Sequence, residues 1–308
     1  MKTSLRYTAC LLVAVAWAGC NKKELYTHEE LYTASTLLKV DWLDASPTAS
    51  TLQLHVWGVA GAVPVDTLFS MASDATVRLS LPEAEYTVVA THDAAHIRFD
   101  GECFCLATDA DGLLCEPEEF SAGTGTFRPV AQQENTYVLQ LFPFTRKLAL
   151  RFRLNREADG RIASIDARLD GIASARRLTD RTTTRDGAGA VGMAIARESD
   201  VPGTRAVSNG GDSADDEGIF FSGSRNLLGI HTNEQQMLTL TLHYTNGEEE
   251  TLEQDLTSYL EDFNNQASGP VEDLTLNAEI TIAGQPGVSA TIGDWTPGTD
   301  SNLDATDN

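Results

Sequence analysis

Residues 147–154, with the sequence KLALRFRL, indicate the fold class of this chain. Leucine or phenylalanine occupies every even position from 148 to 154, while lysine, alanine and arginine occupy the odd positions. Successive side chains of a β-strand point to opposite faces, so this period of two predicts a strand with one apolar and one polar face. Half-buried strands of this kind are typical of antiparallel sheets that cover a core on one side.

The same alternation recurs on both sides of this segment. It is found at 52–56, 77–81, 86–90, 238–244 and 274–282. Asn246-Gly247 lies between the segment at 238–244 and a further segment at 250–256, which is the spacing of a hairpin. Helical periodicity is nearly absent, and the best helix candidate is short, at 256–263, with Thr257 as its N-cap. The sequence therefore predicts an all-β protein built from two sandwiches.

Composition and charge limit the class of protein further. The chain has 308 residues, of which 42% are hydrophobic and 22% charged, and its formal net charge is −23. This composition is that of a globular protein, and the length suggests about two domains. Such an acidic chain repels phosphate groups, so no nucleic-acid partner is expected.

The N-terminus has the features of an export signal. Lys2 and Arg6 precede the apolar run at 9–18, which ends in small residues just before Cys20. The run is too short to span a bilayer comfortably, and its order predicts a cleaved signal peptide over 1–19. A cysteine at this place resembles the lipobox of bacterial lipoproteins, so Cys20 is expected to carry acyl chains, palmitate among them, that anchor the protein. The alternative is an ordinary signal peptide with a chance cysteine.

The rest of the chain divides by pattern into four parts. We expect a tether at 20–35, an N-terminal β-sandwich at 36–143, a C-terminal β-sandwich at 144–295 and an acidic tail at 296–308. The boundary falls between two predicted strands, 137–142 and 147–154. The Gly-, Ser- and Asp-rich stretch at 180–226 is expected to be a long loop of the second sandwich, with a firm pattern only at 191–196.

Three motifs resemble chemical sites but lack the structural context that each site needs. Residues 92–96, HDAAH, mimic a zinc-protease motif without a helical pattern and are expected to form a polar turn. Residues 187–192, GAGAVG, match a dinucleotide-binding motif without a preceding strand and are expected to form a loop. Residues 109–118 have partial calcium-loop spacing and are expected to form a solvated acidic turn. No active site, metal or cofactor is nominated, and a non-enzymatic protein is expected.

Three cysteines lie close together in the sequence. In an exported protein, a disulfide from Cys115 to either Cys103 or Cys105 is expected, which leaves one thiol free. A metal site made from the same cysteines is the weaker alternative, because a fourth ligand is not obvious.

Two further residue types have a structural and a functional interpretation. Trp42, Trp57 and Trp295 are expected to pack in the cores, with a carbohydrate-stacking platform as the alternative. The arginines between 176 and 205 are expected to be solvated charges, although a protease could reach them.

Several short segments resemble one family. They are KELYTH at 23–28, VDW at 40–42, YTVVA at 86–90, FPFTR at 142–146 and DW at 294–295. Together they resemble the fimbrillin-like lipoproteins of Bacteroidales, in particular the branch of fimbrial anchors and minor subunits, over about residues 23 to 295. The resemblance implies two tandem transthyretin-like, Greek-key β-sandwich domains. It also implies an outer-membrane lipoprotein, exposed at the cell surface, that anchors or forms part of a fimbrium. It carries over no catalytic residue.

The resemblance also implies how the protein would assemble. Its partners would be fimbrial subunits, joined by a strand of one subunit that completes a sheet in the next. The terminal strands at 37–42 and 288–295 are the expected participants. The alternative is a surface lipoprotein that binds a glycan or another ligand, and a surface hydrolase is a third hypothesis.

Overall fold

The computed structural model describes residues 33–43, 49–59, 66–155, 160–187, 189–198, 219–265, 272–282 and 290–298. Within these ranges there is no α-helix, and the strands form four sheets. This confirms the all-β class that the alternation predicted. The predicted signal peptide and Cys20 lie outside the described residues.

The strand bounds follow in chain order. Among the described residues, those before residue 145 form β1 (Thr33–Asp41), β2 (Thr51–Gly58), β3 (Asp66–Ala72), β4 (Thr76–Pro82), β5 (Tyr86–Thr91), β6 (Ile97–Phe99), β7 (Cys103–Leu106), β8 (Ser121–Phe127), β9 (Glu134–Gln140) and β10 (Phe142–Pro143). Those after it form β11 (Arg146–Leu154), β12 (Ile162–Asp170), β13 (Ala175–Arg177), β14 (Thr183–Thr184), β15 (Ala190–Arg197), β16 (Ile219–Leu227), β17 (Met237–Tyr244), β18 (Glu249–Asp255), β19 (Leu274–Thr281), β20 (Thr291–Ile292) and β21 (Thr296–Pro297). All six alternating segments of the sequence are therefore strands.

Two sheets from the first half of the chain face each other across one core. Their orders are β4-β1-β9 and β10-β8-β5-β2-β3. Leu38 of β1 and Leu54 of β2 are fully buried in this core, together with Tyr86 and Val88 of β5. The apolar positions of the alternating segments therefore point inward, as in a β-sandwich.

The second half forms one long sheet that encloses a second core. Its order is β18-β17-β12-β15-β16-β11-β19-β20, and β21 also pairs with β19. The three leucines and the phenylalanine of β11 are fully buried and share one cluster with the buried leucines of β17, although three strands separate β11 from β17. The sheet therefore folds over on itself. Its two parts are joined where β15 and β16 pair over only two positions, Ala196 with Ser222 and Arg197 with Phe221.

A small four-stranded sheet joins the two halves of the chain. Its order is β14-β13-β7-β6, so strands from before and after residue 145 pair directly. Cys105 of β7 stands opposite Ala175 of β13, and Cys103 stands opposite Arg177. Phe104, between the two cysteines, is buried in the larger core with Phe120 and Phe144.

The hairpin predicted at Asn246-Gly247 is confirmed. β17 and β18 pair in antiparallel register from Met237 with Asp255 to His243 with Glu249. Gly247 has a φ of 88°, a conformation that costs glycine little and other residues more.

The short helix predicted at 256–263 is wrong. This segment forms successive turns, in which Tyr259 and Leu260 donate N–H groups to the Leu256 carbonyl, and Phe263 donates to that of Leu260. Leu256, Leu260 and Phe263 are buried, which explains their helix-like spacing. One isolated i to i+4 bond does not propagate a helix, because nucleation fixes several residues for a single bond.

The long loop predicted at 180–226 contains strands. β14, β15 and β16 lie within it, and residues 199–218 are outside the described part. β16 has no simple alternation, and Gly223 within it faces a close neighbour. A Cβ placed on Gly223 would stand 2.6 Å from the Ala194 carbonyl oxygen and from Ile195 Cδ1. Glycine in this strand therefore marks a close backbone approach.

Candidate functional site

Cys103, Cys105 and Cys115 are thiols in the structure, and each is half-buried. Cys103 and Cys105 alternate with buried Phe104 along β7, so both lie on the opposite face of the strand from Phe104. The Cys105 thiol lies 3.7 Å from a carboxylate oxygen of Asp100. Burial, followed by the negative charge of Asp100, raises the pKa of both thiols. They are therefore poor nucleophiles near neutral pH, and the disulfide to Cys115 stays a prediction.

The acidic turn at 109–118 uses its first carboxylate to hold its own backbone. Asp109 Oδ1 accepts N–H groups from Asp111 at 3.0 Å and Leu113 at 2.8 Å. Thr108 and Leu114 then pair as an isolated bridge. Within the described ranges, no group of three or more His, Cys, Asp or Glu side chains is placed to hold a metal ion.

The histidine motif at 92–96 forms the connection between β5 and β6. His92 is buried, and its Nδ1 lies 3.0 Å from the Asp93 carbonyl oxygen. The Ser121 N–H donates to His92 Nε2 at 3.0 Å. His96, in contrast, is exposed and has a φ of 65°. The two histidines therefore differ in environment, and His92 is a structural residue that sequence reasoning placed in a polar turn.

The glycine motif at 187–192 leads into a strand. β15 begins at Ala190, so no helix N-terminus follows the glycines as dinucleotide binding requires.

The tryptophans pack mainly against the two cores. Trp295 is buried, with its ring 5.4 Å from that of Phe152. Trp42 and Trp57 are half-buried, and they pack against the first and second cores respectively. Core packing accounts for all three, although Trp57 also lies 4.6 Å from the His55 ring.

The first of the two terminal strands expected to take part in assembly is already paired on both sides. β1 is antiparallel to β4 and parallel to β9. At the other terminus, residues 290–295 contain β20, which pairs with β19 over two positions. Residues 288 and 289 lie outside the described part of the chain.

The two long sheets end in edge strands of different character. β3 pairs with β2, and no other described strand pairs with its second edge. Its sequence DTLFSMA has one charged residue, and Leu68 is 68% exposed. β18, at the end of the other sheet, has the sequence EETLEQD with four carboxylates. Charged side chains oppose pairing with a further strand, so β3 is the less protected edge.

Comparisons with solved structures place this architecture among known proteins. The fimbrial anchor protein Mfa2 from Porphyromonas gingivalis has a TM-score of 0.55 at 12% identity, with 86% of this chain and 97% of that chain covered. The chain shares its fold. A candidate adhesin from Bacteroides thetaiotaomicron has a TM-score of 0.56 at 12% identity, with 86% and 98% covered.

A third similar structure carries a different description. A candidate polysaccharide-binding protein from Bacteroides thetaiotaomicron has a TM-score of 0.54 at 12% identity, with 87% of this chain and 99% of that chain covered. No protein-family model matches the chain, and no curated protein matches it. The described residues also contain no helix that is long and apolar enough to cross a membrane.

Proposed function

We propose that this chain is a non-enzymatic lipoprotein of the outer membrane that anchors a fimbria or forms part of one at the cell surface. The main support is the fold shared with the fimbrial anchor Mfa2 over 86% of this chain. The similarity to a candidate adhesin agrees with this role.

The attachment to the membrane would come from Cys20. The sequence places this cysteine directly after the apolar run and its small residues. Acyl chains on Cys20 would hold the mature chain at the membrane, since each buried methylene contributes about 0.8 kcal/mol. The two halves on either side of residue 144 would be tandem transthyretin-like domains that present the assembly surfaces.

The contact with fimbrial subunits would be made by strand addition at β3. An extended segment of a neighbouring subunit would pair with the open edge of β3, and its backbone hydrogen bonds would supply affinity. The exposed side chain of Leu68 would then pack against an apolar residue of the added strand. β1 could take part only by leaving its place between β4 and β9.

Co-purification from outer membranes tests this function. Detergent-solubilised membranes containing the wild-type chain should give a filament ladder on pull-down. The Cys20→Ala variant should be lost from the membrane fraction, whereas Cys10→Ala, a change within the apolar run, should behave as wild type. A wild-type chain that is membrane-bound but recovered alone, or only with polysaccharide, would contradict the fimbrial role and favour glycan binding.

A further inference from the structure

A cavity of about 430 Å³ opens beside the histidine motif. It lies between the β5–β6 connection, the β6–β7 hairpin and the segment before β8. Its volume is within the range of pockets that hold small ligands or side chains. The β3 edge proposed for strand addition is a different surface, and strand addition gives this cavity no role.

One wall of the cavity is aromatic. Phe99 is 39% exposed, and its ring lies 4.8 Å from that of the buried Phe104. Phe120 continues the wall, 4.7 Å from Phe104. The face of an aromatic ring carries partial negative charge and attracts a cation placed over it. Of these three rings, only Phe99 is exposed, since Phe104 and Phe120 are buried.

The polar part of the cavity is acidic. Glu118 and Asp93 line it, and both side chains are exposed. Glu118 Oε2 accepts the Ala95 N–H at 2.9 Å, which fixes the carboxylate against the loop. Among the described residues that line the cavity, none is lysine or arginine. The nearby Arg98 alternates with Ile97 and Phe99 on β6, so it lies on the other face of that strand.

His92 adds no positive charge to the cavity near neutral pH. Because the Ser121 amide must donate its proton, His92 Nε2 accepts, and Nδ1 carries the hydrogen that is donated to the Asp93 carbonyl. Burial also lowers the pKa of His92. The charge of the cavity is therefore set by Glu118 and Asp93.

We propose that this cavity binds an arginine side chain of a partner protein. The guanidinium group would lie over the Phe99 ring and donate hydrogen bonds to the carboxylates of Glu118 and Asp93. A planar guanidinium suits this site better than an ammonium, because it stacks on a ring and forms paired hydrogen bonds to a carboxylate. Its aliphatic stem would cover Ile97 and Ala94. The net charge of −23 would favour the approach of a basic partner.

The binding site does not depend on the fimbrial role. In a fimbria, the arginine would belong to a neighbouring subunit, but the chemistry of the cavity is the same for any basic segment. A binding test with small probes and the purified chain therefore leaves the fimbrial proposal untouched if it fails.

Titration followed by amide NMR tests the inference. The full chain, labelled with deuterium and nitrogen-15 in detergent micelles, is titrated with Nα-acetyl-arginine amide and, separately, with its neutral analogue Nα-acetyl-citrulline amide. The amides of Ala95 and Ser121 report on the cavity through their bonds to Glu118 and His92. The arginine probe should shift both signals in a saturable manner, and the citrulline probe should bind about fivefold more weakly or not at all.

Three variants assign the binding to its residues. Glu118→Gln keeps an oxygen that can accept the Ala95 N–H but removes the charge, so it should weaken arginine binding about fivefold. Phe99→Leu should weaken it about threefold through loss of the ring face. Glu119→Gln, a neighbouring exposed carboxylate that does not line the cavity, should leave binding unchanged.

Two results would overturn the proposal. Equal shifts with the citrulline probe, or an unchanged affinity in Glu118→Gln, would show that the cavity does not select a cation. Shifts of the same amides with a neutral methyl glycoside, and none with the arginine probe, would assign the cavity to a saccharide instead.

Discussion

Arg176 Nη1 donates a hydrogen bond to the Phe144 carbonyl oxygen at 3.0 Å, and this contact joins β13 to the connection between the two halves of the chain. The same side chain donates to the carbonyls of Arg181 at 3.0 Å and Leu228 at 3.2 Å. Arg176 is only 2% exposed. Burial, and then the charge of Arg181, lowers the pKa of Arg176 to about 10, so the guanidinium is still protonated at neutral pH. Arg176 is therefore a buried cation that links three separate segments.

Replacement of this arginine should destabilise the protein. Arg176→Met keeps much of the side-chain volume but leaves three carbonyl groups without their donor, which should cost about 3 kcal/mol in the free energy of unfolding. Arg177→Met, at the next position of β13, removes exposed ion pairs with Glu102 and Asp180 and should change stability by less than about 1 kcal/mol. Urea unfolding followed by circular dichroism measures both. Equal effects of the two substitutions would contradict the linking role of Arg176.

A glycine in β8 should be equally sensitive to substitution. A Cβ on Gly123 would stand 2.2 Å from the Gln140 carbonyl oxygen of β9, a contact that requires the backbone to move. Gly123→Ala should therefore lower the free energy of unfolding by about 1–3 kcal/mol. Gly293→Ala is the matched control, because its Cβ would meet the nearest atom at 3.6 Å. Thermal unfolding of the two variants should differ clearly, and similar melting temperatures would show that β8 and β9 are not this close.

The buried imidazole of His92 should make stability depend on pH. Burial lowers its pKa below the usual value of 6.5, so the unfolded chain binds this proton more readily than the folded chain. This contribution to the free energy of unfolding is fully present above the usual pKa of 6.5. It is lost as the pH falls from there towards the lower pKa of His92 in the folded chain. His92→Gln, which can still accept the Ser121 N–H, should flatten this part of the curve.

The matched control for that prediction is His96→Gln, a change of the exposed histidine four residues later. Unfolding free energies of the wild type and both variants are measured by urea titration between about pH 5 and pH 8, the range in which histidine side chains ordinarily titrate. If the free energy of unfolding of the wild type falls no further at low pH than that of His92→Gln, the predicted lowering of the His92 pKa is contradicted.

The open edge of β3 leads to a prediction about assembly. Leu68→Lys places a charge on this edge, where it should oppose the addition of a strand and reduce the recovery of fimbrial subunits about tenfold. Val138→Lys on β9 is the control, because Val138 is also exposed, at 48%. Pull-down from solubilised membranes compares the two variants. If both lose their partners equally, or neither does, β3 is not the assembly edge.

The alternation in the sequence predicted six of the 21 described strands, because the period of two depends only on neighbouring residues. Residues 147–154 lie in β11, with the three leucines and the phenylalanine in the core. β16 could not be predicted in this way because its sequence IFFSGSRNL does not alternate, and its Gly223 meets a close approach of β15 that the sequence does not reveal. The turns at 256–263 had helix-like spacing because three buried side chains happen to lie four and three residues apart.

Individual polar residues were harder to predict than strands. Arg176 lies in a stretch of arginines that looks solvated, and its burial depends on carbonyl groups far away in the sequence. His92 likewise depends on the Ser121 amide, 29 residues later. The cavity beside it combines residues from 91 to 120 that carry no shared motif. Such sites are created by tertiary contacts, so they become visible only in the folded chain.

The distribution of fimbriae between cells and culture medium tests whether this chain anchors them through Cys20. Cells that express the wild-type chain, Cys20→Ala or Cys10→Ala are sedimented, and the fimbrial subunits in the pellet and in the medium are quantified. We expect wild-type and Cys10→Ala cells to retain their fimbriae, whereas Cys20→Ala cells should release the fimbriae and this chain together into the medium. Fimbriae that stay on the cells while the Cys20→Ala chain is shed alone would contradict this expectation.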